Sequence, residues 1–351
     1  MKKNIVLIAI SVLIIQSCKE NKNTTTKNST EGKNNEKVES VKLNDKGIAI
    51  AESTDSTKIL SLPTALYETT DGKYKYKFNL EKGKSYPFNS RNIETNTAKR
   101  GNESISQKYE ILDKMSFTVL DEKPEKYILT VTYIATKNTI TAQGKNTTID
   151  SDGPEPKDNA MKKDWKMRKA LMNNSFTMEL YKTGKVGLIS GMEKIYPKIE
   201  NDLKGMYSSD ELKNIMEAVK KQIINPTTFK EQFSSTMIKF PKEGVAIGGT
   251  WKEKGIKAYT TFKLEKIEND FAVITISASL PTDTRSDEKQ GIKMTATKKG
   301  TISGKLYINK KTGWIDKGEN TRTITIIMTQ NFQGKTMSQT QSSVSKTYIN
   351  Q

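Results

Sequence analysis

The sequence predicts a β-rich α+β fold: a curved antiparallel sheet or partial β-barrel with one helical insert at about residues 190–237. Three observations predict it. Apolar and polar residues alternate in segment after segment, as where Tyr74, Tyr76, Phe78 and Leu80 oppose Lys75, Lys77 and Asn79. Turn-forming glycines and asparagines punctuate these segments every roughly ten to fifteen residues, the rhythm of a strongly curved sheet. The period then changes once, to steps of three and four, through Met192, Ile195, Ile199 and Leu203 and again through Leu212, Ile215, Met216, Val219 and Ile223.

In chain order, the first element is not part of that fold. Lys2 and Lys3 precede an apolar run from Ile5 to Ile15 that only Ser11 interrupts. The run is too short to span a bilayer as a helix and has the layout of a secretion signal. Its end, Ile15-Gln16-Ser17-Cys18, resembles the lipobox of bacterial lipoproteins, in which a small residue permits cleavage and the cysteine thiol takes a diacylglycerol. Cys18 is the only cysteine, so no internal disulfide competes for it. The resemblance implies removal of residues 1–17, lipidation of Cys18, and a membrane anchor in which each buried CH₂ contributes roughly 0.8 kcal/mol. Lys19 then Glu20 resembles part of the surface-export signal of Bacteroidota lipoproteins, although Asn21 stands where a second acid is usual. An outer-membrane position facing the periplasm and one on the cell surface both fit.

Residues 18–58 read as a disordered tether, rich in Asn, Lys, Thr, Ser and Glu, with almost no apolar residue before Ile48. Such a stretch cannot bury enough surface to offset its ordering entropy. As coil it reaches roughly 35 Å in r.m.s. terms, enough to hold a domain clear of head groups. Asp55-Ser56-Thr57 resembles the short motif at which Bacteroidota O-glycosylate exported proteins, which marks Ser56 as the acceptor.

Residues 59–351 form a single β-rich domain. Residues 74–80 are a half-buried strand, 81–84 a turn and 86–97 the returning strand. Residues 104–120 and 127–142 are long strands. In the second, Ile128 and Ile134 join Tyr127, Leu129, Val131 and Tyr133, so both faces are apolar and the strand is central. Residues 143–160 are a loop. Its Asp150, Asp152 and Asp158 invite a calcium reading, but Pro154 falls where a third ligand belongs and no glutamate closes the pattern. Residues 161–172 are a short helix and 175–181 with 186–189 a hairpin. Ser208 or Ser209, with Glu211 or Glu217 nearby, caps the second insert helix, Pro226 ends it, and 227–237 add a third. From Val245 strands resume. Residues 258–267 and 271–280 pair across Glu268-Asn269-Asp270, 289–297 lead to 300–308, and 321–329 and 336–348 close the chain with one wet face each. Gly300-Thr301-Ile302-Ser303-Gly304-Lys305 is one residue short of a phosphate loop and reads as strand.

The runs KYKFNLEKGKSYPF, FTMELYKTGKVGLISGMEKI, IKFPKEGVAIGGTWKEK and GTISGKLYINKKTGWID follow one another in order. Together they resemble a family of uncharacterised Bacteroidota lipoproteins known only as a domain of unknown function, over about residues 74–348. Their shared features are turn glycines and hydrophobic anchors, so the resemblance implies no activity and no functional residues.

Charge and composition bound the function. The net charge is +18, of which residues 59–351 carry +15. Such a field attracts anions and points to an anionic glycan or lipopolysaccharide as partner. Nucleic acid does not fit, because the lysines are dispersed and no RNP-like or zinc-finger pattern occurs. The chain has no histidine, which removes Ser-His-Asp and Cys-His catalysis and most transition-metal sites. No catalytic residue, metal ligand or cofactor site can be named. Three readings remain. The first is a lipid-anchored, non-catalytic binding module, the second a carrier with an apolar ligand in a half-barrel cavity, and the third a His-free hydrolase. A filled core, an apolar cavity, or clustered carboxylates in a cleft would separate them.

Overall fold

The computed structural model describes residues 64–254, 258–289, 292–332 and 335–351. Strands β1 (Leu66–Glu68) and β2 (Tyr74–Tyr76) form a small sheet of their own. All other strands belong to one twelve-stranded sheet, antiparallel throughout. Its N-terminal half holds β3 (Ser85–Arg100), β4 (Glu103–Glu122), β5 (Lys126–Ala142), β6 (Lys145–Asp150), β7 (Ser175–Tyr181) and β8 (Val186–Ser190). Its C-terminal half is a meander of β9 (Thr250–Lys254), β10 (Tyr259–Ile267), β11 (Phe271–Lys289), β12 (Ile292–Asn309), β13 (Ile315–Phe332) and β14 (Lys335–Ile349). Strand β14 lies beside β3, from Ile349 opposite Ser90 to Gln339 opposite Arg100, and joins the halves. The order is β8-β7-β5-β4-β3-β14-β13-β12-β11-β10-β9, with β6 continuing along β5 where β7 stops. The sheet is open: β8 and β9 are its edges and do not pair with each other.

Curvature has local causes. Register shifts interrupt β10–β11, β11–β12, β12–β13, β4–β5 and β7–β8, and each extra residue bends its strand and adds twist. Gly304 lies so close to β13 that a Cβ there would sit 2.5 Å from the Glu319 carbonyl oxygen. Only glycine permits that approach.

The predicted curved sheet and helical insert are both present, and several details differ. Residues 77–80 are not strand. Tyr76, Phe78 and Leu80 are buried in the expected phase, but their backbone bonds are scattered. Phe78 N donates to Lys182 O, Asn79 N to Thr312 O, and Leu80 N to the Tyr127 hydroxyl. Residues 143–160 are not wholly loop, since β6 pairs with β5 there and Asp158 caps a helix. Ile134, expected on a buried second face of β5, is 46% exposed. The C-terminal strands are longer than expected. Residues 271–289 and 292–309 each run as one strand, because the irregularity between Leu280 and Asp283 is a bulge and not an end.

One face of the sheet, the inner face, carries a helical layer. It comprises α1 (Asn159–Leu171), a 3₁₀ turn (Met192–Lys194), α2 (Tyr196–Leu203), α3 (Ser209–Ala218), a π turn (Val219–Ile223) and α4 (Pro226–Thr236). Ser208 and Glu211 make a reciprocal capping box at α3. Asn225 caps α4, so Pro226 opens that helix at a position where its missing donor costs nothing. The stepped residues Met192, Ile195, Ile199, Leu203, Leu212 and Met216 are all buried, as their period requires. Aromatic rings fill the interior. Phe117 of β4 meets Phe233 of α4 at 5.4 Å, Trp314 at 5.2 Å and Phe88 at 6.0 Å between centroids. Phe176 and Phe229 extend the cluster.

The helices cover only part of each long strand. In β4, Ile111, Asp113, Met115, Phe117 and Val119 alternate as buried residues, whereas residues 103–108 are exposed. In β3 the buried alternation ends at Ser90. All described positions from 321 to 330 of β13 are half-buried, on both faces. Among the described residues the sheet therefore has a covered end, with a packed core, and an end that no helix covers.

Candidate functional site

The margin between the two ends is polar. Antiparallel register and the pleat place every second residue of each strand on the inner face, in rows across the sheet. One row reads Ser90, Asp113, Thr136 across β3, β4 and β5. The next reads Asn320, Thr347, Asn92, Ile111, Asn138, and the third Arg322, Ser345, Glu94, Tyr109, Ile140. Three rows of mostly polar side chains thus run along the edge of an aromatic core.

At one end of this belt Asp113 is buried, with Thr136 Oγ1 donating to its Oδ1 at 2.6 Å. Burial raises the Asp113 carboxyl from 3.8 to about 6, against the opposing effects of the Thr136 hydrogen bond and the Arg168 charge. Arg168 reaches the site from α1 and is 2% exposed. Its Nε donates to Asp164 Oδ1 at 3.1 Å. Two neighbours pin α1 to this corner: Trp165 Nε1 donates to Asp150 O, and Lys169 Nζ to Ser151 O. Ser151 Oγ in turn accepts from Thr136 N. Three side-chain atoms here are buried without a partner, namely Tyr133 Oη, Asn138 Oδ1 and Arg168 Nη2. Burial, with Asp113 adding to it, pushes the Tyr133 phenol well up. At the other end Ser343 Oγ donates to Glu94 Oε1 at 3.0 Å and Ser345 Oγ to Asn92 Oδ1 at 2.7 Å. Arg322 Nε is buried and unpartnered. Burial works against the Arg322 charge and Glu94 supports it. An unmet buried donor or acceptor costs about 1–3 kcal/mol, so Asn138 and Arg322 in the belt, with Tyr133 and Arg168 beside it, favour a water molecule or another polar group that meets them.

The belt is suited to binding. Asp113 is a single buried carboxyl rather than one of a pair, and no group of three or more metal-capable residues occurs among the described residues. Two cavities lie elsewhere. A groove of about 490 Å³ between α2 and α3 is floored by Tyr207, Leu212 and Met216 and rimmed by Lys204, Lys213 and Lys220. A polar hollow of about 210 Å³ on the outer face is lined by Ser303, Glu319, Thr321, Lys346 and Tyr348.

The residues singled out from sequence do not meet at this belt. Cys18 and Ser56 lie outside the described residues. The three aspartates do not converge on one ion: Asp150 pairs with Lys137 at 3.5 Å, and Asp158 accepts from Ala160 N and Met161 N as the cap of α1. Gly300 to Lys305 is strand, as expected. Asp113 and Arg168 were not foreseen. The available signal was phase, for Asp113 sits in step with Ile111, Met115 and Phe117, where a wet-face residue is out of place.

No curated protein matches the chain. Among solved structures, one describing lipid–protein interactions in lipovitellin matches with a TM-score of 0.38 and 10% identity, over 77% of this chain and 25% of that one. The chain thus spans a quarter of the lipovitellin chain. The COG4313 outer membrane channel from Pseudomonas putida F1 matches with a TM-score of 0.19 and 6% identity, over 81% of this chain and 99% of that one. At these scores neither likeness bears on function. The family comparison does reach a conclusion, since one family model matches residues 124–315, from β5 through the helical layer to the start of β13: the chain belongs to the Family of unknown function (DUF6263).

Proposed function

We propose that the protein is a non-catalytic binding module of the cell envelope, held at the outer membrane by lipid on Cys18 and by the 18–58 tether. The observation that carries the binding half is the belt, where Tyr133 Oη, Asn138 Oδ1, Arg168 Nη2 and Arg322 Nε are buried without partners beside an uncovered sheet face. The +15 charge of residues 59–351 supports an anionic envelope component, a glycan or lipopolysaccharide, as ligand. A packed aromatic interior supports this reading over a carrier with its ligand enclosed between helices and sheet. A single buried carboxyl in a chain without histidine supports it over a hydrolase.

Native mass spectrometry of the full protein, released from the envelope of the cells that make it, tests the binding half. A non-covalent mass above the lipidated chain is expected, and a bare chain under conditions that preserve a control complex rules the reading out. The anchor is tested by Cys18→Ala. The variant is expected to keep its leader uncleaved or to leave the fraction that carries acylated protein, and metabolic labelling with an alkyne fatty acid should fall to background. Labelling as strong as in the unaltered chain contradicts lipidation at Cys18.

A further inference from the structure

The hollow of about 210 Å³ on the outer face lies on the side of the sheet away from the belt. Register sets its walls. One row across β12, β13 and β14 reads Ser303, Thr321, Lys346, and the next reads Lys305, Glu319, Tyr348. Gly304 lies in its floor, where the close approach of β12 to β13 leaves no room for a side chain.

The groups around this hollow are uncommitted. Elsewhere on the outer face, opposed hydroxyls bond each other: Thr97 with Ser106 at 3.4 Å, Thr284 with Thr297 at 3.1 Å, and Ser286 with Thr295 at 3.0 Å. Ser303 and Thr321 are directly opposed in the same way and make no such bond. Among the described residues, the side chains of Glu319, Lys346 and Tyr348 likewise have no hydrogen bond or ion pair. The cations near Glu319 are engaged elsewhere. Lys305 pairs with Glu265 at 3.1 Å, Arg91 with Glu110 at 2.8 Å, and Lys317 lies over the Tyr307 ring at 4.5 Å.

This inventory selects a ligand. The hollow has the room of about seven water molecules, which a single sugar ring fills. Ser303, Thr321 and Tyr348 offer hydroxyls that both donate and accept, Lys346 only donates, and Glu319 only accepts. A sugar ring presents both functions around its rim. It also has an apolar C–H face, for which the half-buried Tyr348 ring is a flat partner. One carboxylate beside one ammonium leaves the hollow without net charge, and Glu319 repels a phosphate, sulfate or uronate. A free amino acid would match the two charges, but exposed ion pairs contribute little, and it would leave the hydroxyls unmet. Along the strands the same chemistry continues. Thr301 stands opposite Thr323, then Thr325 opposite Ser342, flanked by Lys299 and Val344. None of those hydroxyls is bonded to another side chain, so further units of a sugar chain find partners there.

We infer that the hollow on the outer face binds one uncharged sugar ring of a glycan, with the C–H face of the ring on Tyr348 and its hydroxyls between Glu319 and Lys346. This goes beyond the belt: the face differs, the ligand carries no charge at this point, and either site can fail without the other.

The test uses the full chain in a zwitterionic detergent whose head group holds no sugar. Saturation-transfer difference NMR is recorded with the methyl glycosides of glucose, galactose, mannose and N-acetylglucosamine. Transfer to the ring protons of at least one is expected, with a dissociation constant on the order of millimolar, as one ring with few hydrogen bonds allows. Glu319→Gln should weaken that binding roughly tenfold, the worth of one charge-assisted hydrogen bond. Tyr348→Leu should remove the transfer. Lys252→Gln, an exposed change on edge strand β9, should leave it unaltered, and matching melting curves should show that all three variants are folded. Silence from every glycoside, transfer indifferent to Glu319→Gln, tighter binding of methyl glucuronide, or displacement by inorganic phosphate or L-alanine each overturn the inference. An anionic ligand in the native mass spectrum together with silent glycosides overturns the hollow and leaves the binding module. Glycoside binding that Glu319→Gln weakens, together with a bare chain in that spectrum, keeps the hollow and removes the belt.

Discussion

Replacing Phe117 by alanine is expected to lower the unfolding free energy by about 3–5 kcal/mol. Phe117 is fully buried, and its ring is where three parts of the fold meet. Phe88 represents β3, Phe233 represents α4, and Trp314 the turn between β12 and β13. Trp314 cannot collapse into the space, because its Nε1 donates to Pro87 O at 2.8 Å. Phe233 cannot follow easily either, since its ring stacks on Phe229 and Phe176. The cavity therefore persists, and a persistent cavity is the costly kind. The measurement is a shift in the urea midpoint at unchanged slope. A loss below about 1 kcal/mol would mean the cluster relaxes as one body, and the account of a rigid three-way contact would be wrong.

Asp113→Asn should act in the opposite direction, and only above a certain pH. The native carboxyl holds its proton to about pH 6, and the unfolded one releases it near 3.8. Between those values the folded state binds the proton more tightly, so its contribution to stability is fully present below pH 3.8 and is lost as the pH rises through 6. A separation of about two pH units corresponds to about 3 kcal/mol, with the opposing effects of the Thr136 hydrogen bond and the Arg168 charge already included. Asparagine keeps an oxygen for the Thr136 hydroxyl and carries no charge to bury. The variant should match the unaltered chain at pH 4, exceed it at pH 7.5, and lose the slope in between. Urea unfolding at the two pH values reads this directly. Parallel pH dependences would show that Asp113 is not buried as an acid.

How much of this was legible depended on whether a feature is local. The insert helices were, because Met192, Ile199, Leu203 and Leu212 repeat a period that only a helix face satisfies. So was the capping pair Ser208 and Glu211, three residues apart. Residues 74–80 show how the same signal misleads, since burial of Tyr76, Phe78 and Leu80 has period two whether the backbone pairs with a neighbouring strand or bonds piecemeal to Lys182, Thr312 and Tyr127. The belt was hidden for another reason. Asp113, Thr136 and Arg168 are scattered along the sequence, and only register sets Ser90 beside Asp113 and Asp113 beside Thr136. The uncovered half was also misjudged. Threonine alternation at 321–329 predicts one dry face, but with no described helix packed on either side both faces remain half-accessible.

The junction of β14 with β3 has a consequence for how the molecule is made. Ser345 bonds Asn92 across 253 residues of chain, and Ser343 bonds Glu94 across 249. The middle of the sheet is therefore completed only after β14 has left the ribosome. Until then β3 waits with an unsatisfied row of amides, an invitation to mispairing with a sister molecule. Assembly of this kind is slow by topology, and a polypeptide interrupted a dozen residues early would lose the keystone rather than a fringe.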